Sequence, residues 1–393
     1  VSPRAVVLID GEHYAPVVRD ALAGLPYDVV GALLVGGTEK LRGGEEYGVP
    51  LVESLDAVDA DVVVDLSDEP VLGPRERMLW ASRALALGMP YVGADFRFEP
   101  PAFESVDVPS LAVIGVGKRI GKTAVTGHVA RVLSRDRRVV VVAMGRGGPA
   151  EPELVESPPT VDDLVALARA GRHAASDHLE TAALAGVPTV GCRRAGGGLA
   201  GAPFADNVAE GARLAASLDP DLLVFDGSGA ALPPVAADAR ILVVNGAHDV
   251  RAGLNAYRVL ISDLVVDTGG ADRDAIASIA DVPVVPAELR LEPMEPLAGR
   301  RTAVFTTGPA ATGHLDAEVV HVSRSLANRD ALRAELETVD ADVYLVELKA
   351  AAIDVVAETA LARGADVVLA MNGVVSPELD ERLRTLVAER SLS

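Results

Sequence analysis

Cysteine, lysine and aromatic residues are scarce in this sequence, and each scarcity excludes something. A single cysteine, Cys192, stands among 393 residues, so no internal disulfide can form and nothing argues for an oxidising compartment. Aromatic residues make up 3% of the chain, and its 36 basic residues include only four lysines, Lys40, Lys118, Lys122 and Lys349. Acidic residues number 57, which gives a formal charge of −21 and excludes the generally basic surface that binds nucleic acid by releasing counterions. No apolar run reaches the roughly eighteen residues that a membrane-spanning helix needs. The opening stretch VSPRAVVLIDGEHY lacks the basic flank and cleavage site of a secretory signal, so a cytoplasmic protein without membrane partners is expected.

What is present is a chain 49% hydrophobic, able to bury large cores in two or three domains. Short β-branched runs alternate with helical patterns throughout, the signature of mostly parallel sheets covered by helices. The fold class expected is therefore α/β and multi-domain, with a P-loop NTPase domain at its centre. Strands at 5–9, 29–35, 61–66 and 89–92 and helices near 14–24 and 74–87 form a first Rossmann-like block, 1–105, that ends in the turn-rich FEPPAFESVDVP. A second block, 106–297, carries LAVIGV, VVVVAM, TVGC, LLVF, ILVVN and LVV, and its closing stretch VPVVPAELRLEPMEP reads as a linker. A third small α/β block, 298–393, carries TAVFT, EVVHV, VYLVEL and ADVVLAM.

The second block opens with LAVIGVGKRIGKTA, residues 111–124. Strand, glycine turn, Lys-Thr and helix is the arrangement in which backbone N–H groups and a helix N-terminus surround phosphate oxygens, lysine reaches the β- and γ-phosphates and the hydroxyl binds Mg²⁺. Gly115, Gly117, Gly121, Lys122, Thr123 and Ala124 are the expected nucleotide-binding residues. Gly115 stands one residue further from Gly121 than the usual eight-residue pattern allows, so the loop is lengthened.

Basic residues cluster near glycines at three places. Lys118 and Arg119 lie inside the lengthened loop, Arg146 follows VVVVAM in MGRGGPAEPE, and Arg193 and Arg194 precede Gly196, Gly197 and Gly198 in GCRRAGGGLAG. Guanidinium forks beside glycine-rich turns can hold several anionic oxygens. FDGSGAALPPV places Asp226 at a strand end, either as a carboxylate near Mg²⁺ or phosphate or as a turn former. Asp10 and His13, in IDGEHY, sit where open α/β sheets bind ligands, although Asp10 serves equally as a helix N-cap. Asp65, Ser67, Asp68 and Glu69 end a strand of the same block and read as ordinary acidic surface. Asp177, His178 and Glu180 read as a solvated helix, and Lys349 as a surface lysine.

A glycine followed by five residues and then Gly-Lys-Thr resembles the loop of dethiobiotin synthetase and the cobyrinate amidation enzymes. Taken together, GVGKRIGKTA, MGRGGPAEPE, ASDHLETAALAGVPTVGCRRAGGGLAG and IDGEHY resemble the cyclic 2,3-diphosphoglycerate synthetase family, over residues 5 to 290. One departure is visible: Ala195 stands where a second cysteine is expected, so no cysteine-pair chemistry follows. The resemblance implies an ATP-dependent ligase that closes the two phosphates of 2,3-bisphosphoglycerate into an intramolecular anhydride, releasing ADP and phosphate. It brings in ATP, Mg²⁺ and K⁺ as cofactors to consider, a phosphorylated small-molecule substrate, and a homodimer. Lys122, Lys118, Arg119 and Asp226 are then the expected catalytic residues, with Thr123, Asp226 and Glu153 as metal ligands. Arg146, Arg193, Arg194, Gly196, Gly197, Gly198, Asp10 and His13 are the expected substrate contacts. Two other readings stay open: a ligase or kinase of the dethiobiotin synthetase type acting on another anionic metabolite, and a nucleotide-switched assembly protein.

Overall fold

The Val-, Leu- and Ala-rich runs become strands buried on both faces, as parallel sheets flanked by helices require. A computed structural model describes residues 2–160, 162, 163, 166, 177–308, 310–348 and 353–390. Its first sheet has the order β2-β1-β3-β4-β5 and contains β1 (Arg4–Ile9), β2 (Asp28–Leu34), β3 (Val62–Asp65), β4 (Tyr91–Val92) and β5 (Arg97–Phe98). All pairs are parallel except β4 with β5. Helices α1 (Ala15–Gly24) and α2 (Pro74–Ala86) accompany this sheet, each with proline in its first turn, where no N–H is missed.

The second sheet runs β10-β9-β7-β11-β6-β12-β13-β14, with β8 also paired to β9. Its strands are β6 (Ser110–Gly115), β7 (Val139–Gly145), β8 (Glu153–Val155), β9 (Thr189–Ala195), β10 (Ala205–Asp206), β11 (Leu222–Asp226), β12 (Ala239–Val244), β13 (Leu264–Asp267) and β14 (Val284–Pro286). Every residue of β6, β7 and β11 is buried. Each apolar side chain buried in this way contributes about 1.5–3 kcal/mol. One face carries α3 (Lys122–Leu133) and α4 (Asp177–Ala185), which meet closely where Gly127 lies against Leu184. The other carries α5 (Val208–Ala216), where Gly211 lies against the Cys192 thiol.

The third sheet, β15-β19-β18-β16-β17, is built from β15 (Glu288–Pro293), β16 (Arg301–Phe305), β17 (Glu318–Ser323), β18 (Val343–Glu347) and β19 (Asp366–Val375), with β15 antiparallel to β19. The stretch expected to be a linker is therefore two strands: β14 closes the second sheet and β15 opens the third. Alternating apolar residues between its prolines let both segments pair, and proline is tolerated at these edges. The third sheet also leans on the second. Ser376 Oγ donates to Pro286 O at 2.7 Å, and His128 Nε2 meets Asp380 at 2.6 Å.

The helix expected to be solvated, α4, is buried at His178 and Glu180. Leu179 and Ala183 pack into the core of the third sheet on one side while Leu184 meets α3 on the other, so little of this helix is left for solvent. Lys349 and the side chain of Asp177 lie outside the described residues.

Candidate functional site

The lengthened loop solves its extra residue with two features. Arg119 adopts a left-handed conformation, φ 60°, and Ile120 turns inward until it is 1% exposed. The Ile120 side chain fills the space over Gly115, where a Cβ would come within 2.4 Å of its Cδ1. Gly121 is left-handed too, at φ 78°, and a Cβ there would lie 2.5 Å from Leu289 of β15. Leu289 thus leaves no room for a side chain at Gly121, which directly precedes α3, whose first N–H groups lack intrahelical partners.

Lys122 and Asp226 are both buried and form a salt bridge across the carboxyl ends of β6 and β11. Thr126 Oγ1 donates to the same carboxylate at 2.9 Å, and Thr123 is buried one residue beyond Lys122. Asp226 is thus no turn former; it holds the lysine at the loop. Ala124 is buried in the same turn of α3.

Cations gather around the segment that follows β11. A Cβ built on Gly229 would lie 3.5 Å from Arg146 Nη2, 3.7 Å from Lys118 Cγ and 3.9 Å from Arg194 Nη2. Arg146 and Lys118 are exposed, whereas Arg194 is buried and donates to Ser228 O at 2.8 Å and Gly196 O at 2.5 Å. A second guanidinium repeats this tie. Arg258, 1% exposed in the helix Asn255–Leu260 (α6), donates to Ala230 O and to Leu199 O at 3.2 Å. Burial lowers its pKa to about 10, so it stays charged at neutral pH. The glycine-rich loop 196–201 and the segment 226–231 are therefore cross-linked by two buried cations. Gly196, Gly197 and Gly198 lie in that loop, and Gly196 is left-handed at φ 70°.

Other expected residues separate from this centre. β9 continues to Ala195, so Arg193 and Arg194 alternate to opposite faces of the strand and cannot grip one anion together. Glu153 shares a row with Gly191, Ala143 and Asp226 across β8, β9, β7 and β11. Three strand spacings put Glu153 roughly 14 Å from Asp226, too far for both to bind one ion. Arg119 shares the loop, but its left-handed backbone sends its carbonyl to Asn245 Nδ2 at 3.2 Å. Cys192 is buried against α5, and burial raises its thiol to about 12, which keeps it protonated and inert.

Asp10 is fully buried at the edge of the first sheet and accepts from the N–H groups of Glu12, His13 and Asp68 at 2.9, 3.2 and 2.7 Å and meets the His13 ring at 2.8 Å. It caps no helix, since α1 begins at Ala15 behind Tyr14. Instead it ties the β1 loop to the β3 loop. Asp65 does the same for the next loop, accepting from Tyr91 at 2.6 Å and Arg77 at 3.1 Å. The acidic residues ending β3 are thus not simple surface: Asp65 and Ser67 are buried.

Burial opposes ionisation of Asp10, but the Asp68 N–H, the His13 ring and the Glu12 N–H outweigh it and hold its carboxyl below the ordinary value of 3.8. A depressed folded-state pKa gives stability that is present above the unfolded value and lost as pH falls through the folded one. Asp10→Asn is therefore expected to cost about 1–3 kcal/mol at pH 7, for donors left facing an amide. Urea midpoints measured at pH 7 and below pH 3.8 should show the gap between parent and variant closing in acid; an equal gap at both would contradict this account.

Three residues holding the phosphate loop were not legible beforehand. His248 Nε2 donates to Lys118 O at 2.9 Å, Asn245 Nδ2 to Arg119 O, and Thr268 Oγ1 to Ile120 O at 2.8 Å. Their only sequence signal is polar residues just past strand ends, in VVNGAHD and VVDTGG. Beside Thr268 a cleft of about 560 Å³ opens between Gly269, Ala287, Glu288 and Ser376.

Comparison with known proteins agrees with this architecture along the chain. The family described as cyclic 2,3-diphosphoglycerate synthetase matches in three parts: its N-terminal domain over residues 4–99, its P-loop domain over 110–282 and its C-terminal domain over 293–373. A cyclic 2,3-diphosphoglycerate synthetase of Rubrobacter xylanophilus is 48% identical, covering 98% of this chain and 97% of that one. The protein of that name from Thermococcus kodakarensis is 43% identical, over 94% of both chains. Another from Methanothermus fervidus is 38% identical, over 94% of this chain and 93% of that one.

Proposed function

Because this chain belongs to the cyclic 2,3-diphosphoglycerate synthetase family of ATP-dependent ligases, we propose that it closes 2,3-bisphosphoglycerate into its cyclic anhydride at the loop between β6 and α3. The observation that carries this reading is the convergence of Lys118, Arg146 and Arg194 on Gly229, beside the Lys122–Asp226 pair. Such a cluster in a chain of formal charge −21 fits a substrate with two phosphates and a carboxylate, whose self-repulsion must be offset before its phosphates can bond.

The phosphate loop and the N-terminus of α3 hold the ATP phosphates, with Lys122 at the transferring group. One substrate phosphate oxygen attacks the γ-phosphorus, and the bond to ADP breaks. The second substrate phosphate then attacks the first, expelling the transferred group as inorganic phosphate and leaving the ring anhydride. Lys122 is placed to offset charge in the first step, while Arg146, Arg194 and Lys118 hold the two substrate phosphates together for the second. Phosphate is already anionic, so no protein base is required.

Mg²⁺ fits the oxygen donors here. Thr123 and Asp226 offer a hydroxyl and a carboxylate, and among the described residues no group of three or more His, Cys, Asp and Glu forms a dedicated metal cage. That suits an ion that relies on one or two protein oxygens and the substrate phosphates, where it would neutralise developing charge. Glu153 has no part in this set.

An ADP-release screen tests the reading. Release stimulated by 2,3-bisphosphoglycerate and not by dicarboxylates is the expected result; stimulation by a dicarboxylate alone would assign the cations to another substrate.

A further inference from the structure

The lengthened loop has three consecutive carbonyls, those of Lys118, Arg119 and Ile120, and each accepts a hydrogen bond from a different side chain in the loops that follow two neighbouring strands. His248 and Asn245 come from the loop after β12, and Thr268 from the loop after β13. In a planar trans peptide the carbonyl and the following N–H point in opposite directions. Fixing these three carbonyls toward His248, Asn245 and Thr268 therefore turns the N–H groups of Arg119, Ile120 and Gly121 to the other side of the loop.

We infer that His248, Asn245 and Thr268 are positioning residues that hold the amide N–H groups of the lengthened loop facing the nucleotide phosphates. The inference rests on the proposed nucleotide role of this loop. It explains why a residue with a side chain occupies the left-handed position at Arg119: one extra residue would let the peptides of a glycine-flanked loop flip, and the three donors remove that freedom. The His248 ring adds a steric lock, since it lies so close to Gly117 that a Cβ there would come within 2.4 Å of it. Asp249, next to His248, pairs at the surface with Arg75 of α2 and accepts from the Arg251 N–H at 2.8 Å.

Thr268 offers the cleanest test, because valine keeps its shape and removes the hydroxyl while serine keeps the hydroxyl. Thr268→Val is expected to weaken ATP binding by about tenfold, the upper end for one net hydrogen bond. Adenosine binding should stay unchanged, and Thr268→Ser should restore ATP affinity. His248→Phe, which keeps a ring over Gly117 but loses the donor, should reproduce the loss. Parent-like ATP affinity in both Thr268→Val and His248→Phe, or a parallel loss of ATP and adenosine, would overturn the assignment. The assay reads nucleotide binding alone, so it remains decisive even if no cyclic anhydride is formed and the reaction reading fails.

Discussion

Lys122→Ala is expected to reduce ATP turnover by at least about 10³-fold, the scale on which a preorganised charge acts at a phosphoryl-transfer centre. The substitution also leaves Asp226 buried with Thr126 but without its cation. Breaking a buried pair from one side costs about 3–5 kcal/mol. Lost turnover in the single variant could then reflect lost folding. The double variant Lys122→Ala with Asp226→Asn removes the stranded charge and so reads the folding effect, with Asp226→Asn alone as the control for the lost carboxylate. Its thermal midpoint should recover most of the loss while turnover stays at the floor. Recovery of turnover together with stability would show that Lys122 only balances Asp226.

Arg146→Ala should act on the other half of the reaction. Arg146 is exposed, and its guanidinium reaches to 3.5 Å from the Cβ position of Gly229, so truncation leaves no buried group stranded. A charge-assisted hydrogen bond contributes about 1.5–3 kcal/mol, which corresponds to roughly 10- to 150-fold in affinity. The KM for 2,3-bisphosphoglycerate is expected to rise by that factor, with the KM for ATP and the thermal midpoint unchanged. Steady-state kinetics with each substrate varied in turn checks this. An equal rise in both KM values would contradict the division between a nucleotide loop and a substrate cluster. Arg194 is a poorer probe, since its removal also frees Ser228 O and Gly196 O.

Local signals in the sequence were the legible ones. The phosphate loop reads from GKRIGKT alone because glycine, lysine and threonine must fall in fixed order at a strand-to-helix turn. Runs such as AVVLI, VVVVAM and LLVF read as strands because few other elements bury so many β-branched residues in succession. What stayed hidden depends on partners distant in the chain. Whether β9 stops at Cys192 or continues to Ala195 is decided by pairing with β7 and β10, and that pairing puts Arg193 and Arg194 on opposite faces. The stretch 282–296 has a linker's prolines, yet each half finds a different sheet edge. Arg258 looks like any helical arginine until the carbonyls of Leu199 and Ala230 are seen to surround it. Asp10 lay between two readings, and only the Asp68 N–H, 58 positions away, shows that it is a loop tie.

The most direct measurement follows phosphorus NMR of the purified protein incubated with Mg²⁺-ATP and 2,3-bisphosphoglycerate. The account predicts that the two monoester resonances of the substrate are replaced by resonances of a cyclic anhydride, with ADP and inorganic phosphate appearing in equal amounts. Folded protein that binds ATP, yet yields ADP and phosphate with the bisphosphate left intact, would contradict it.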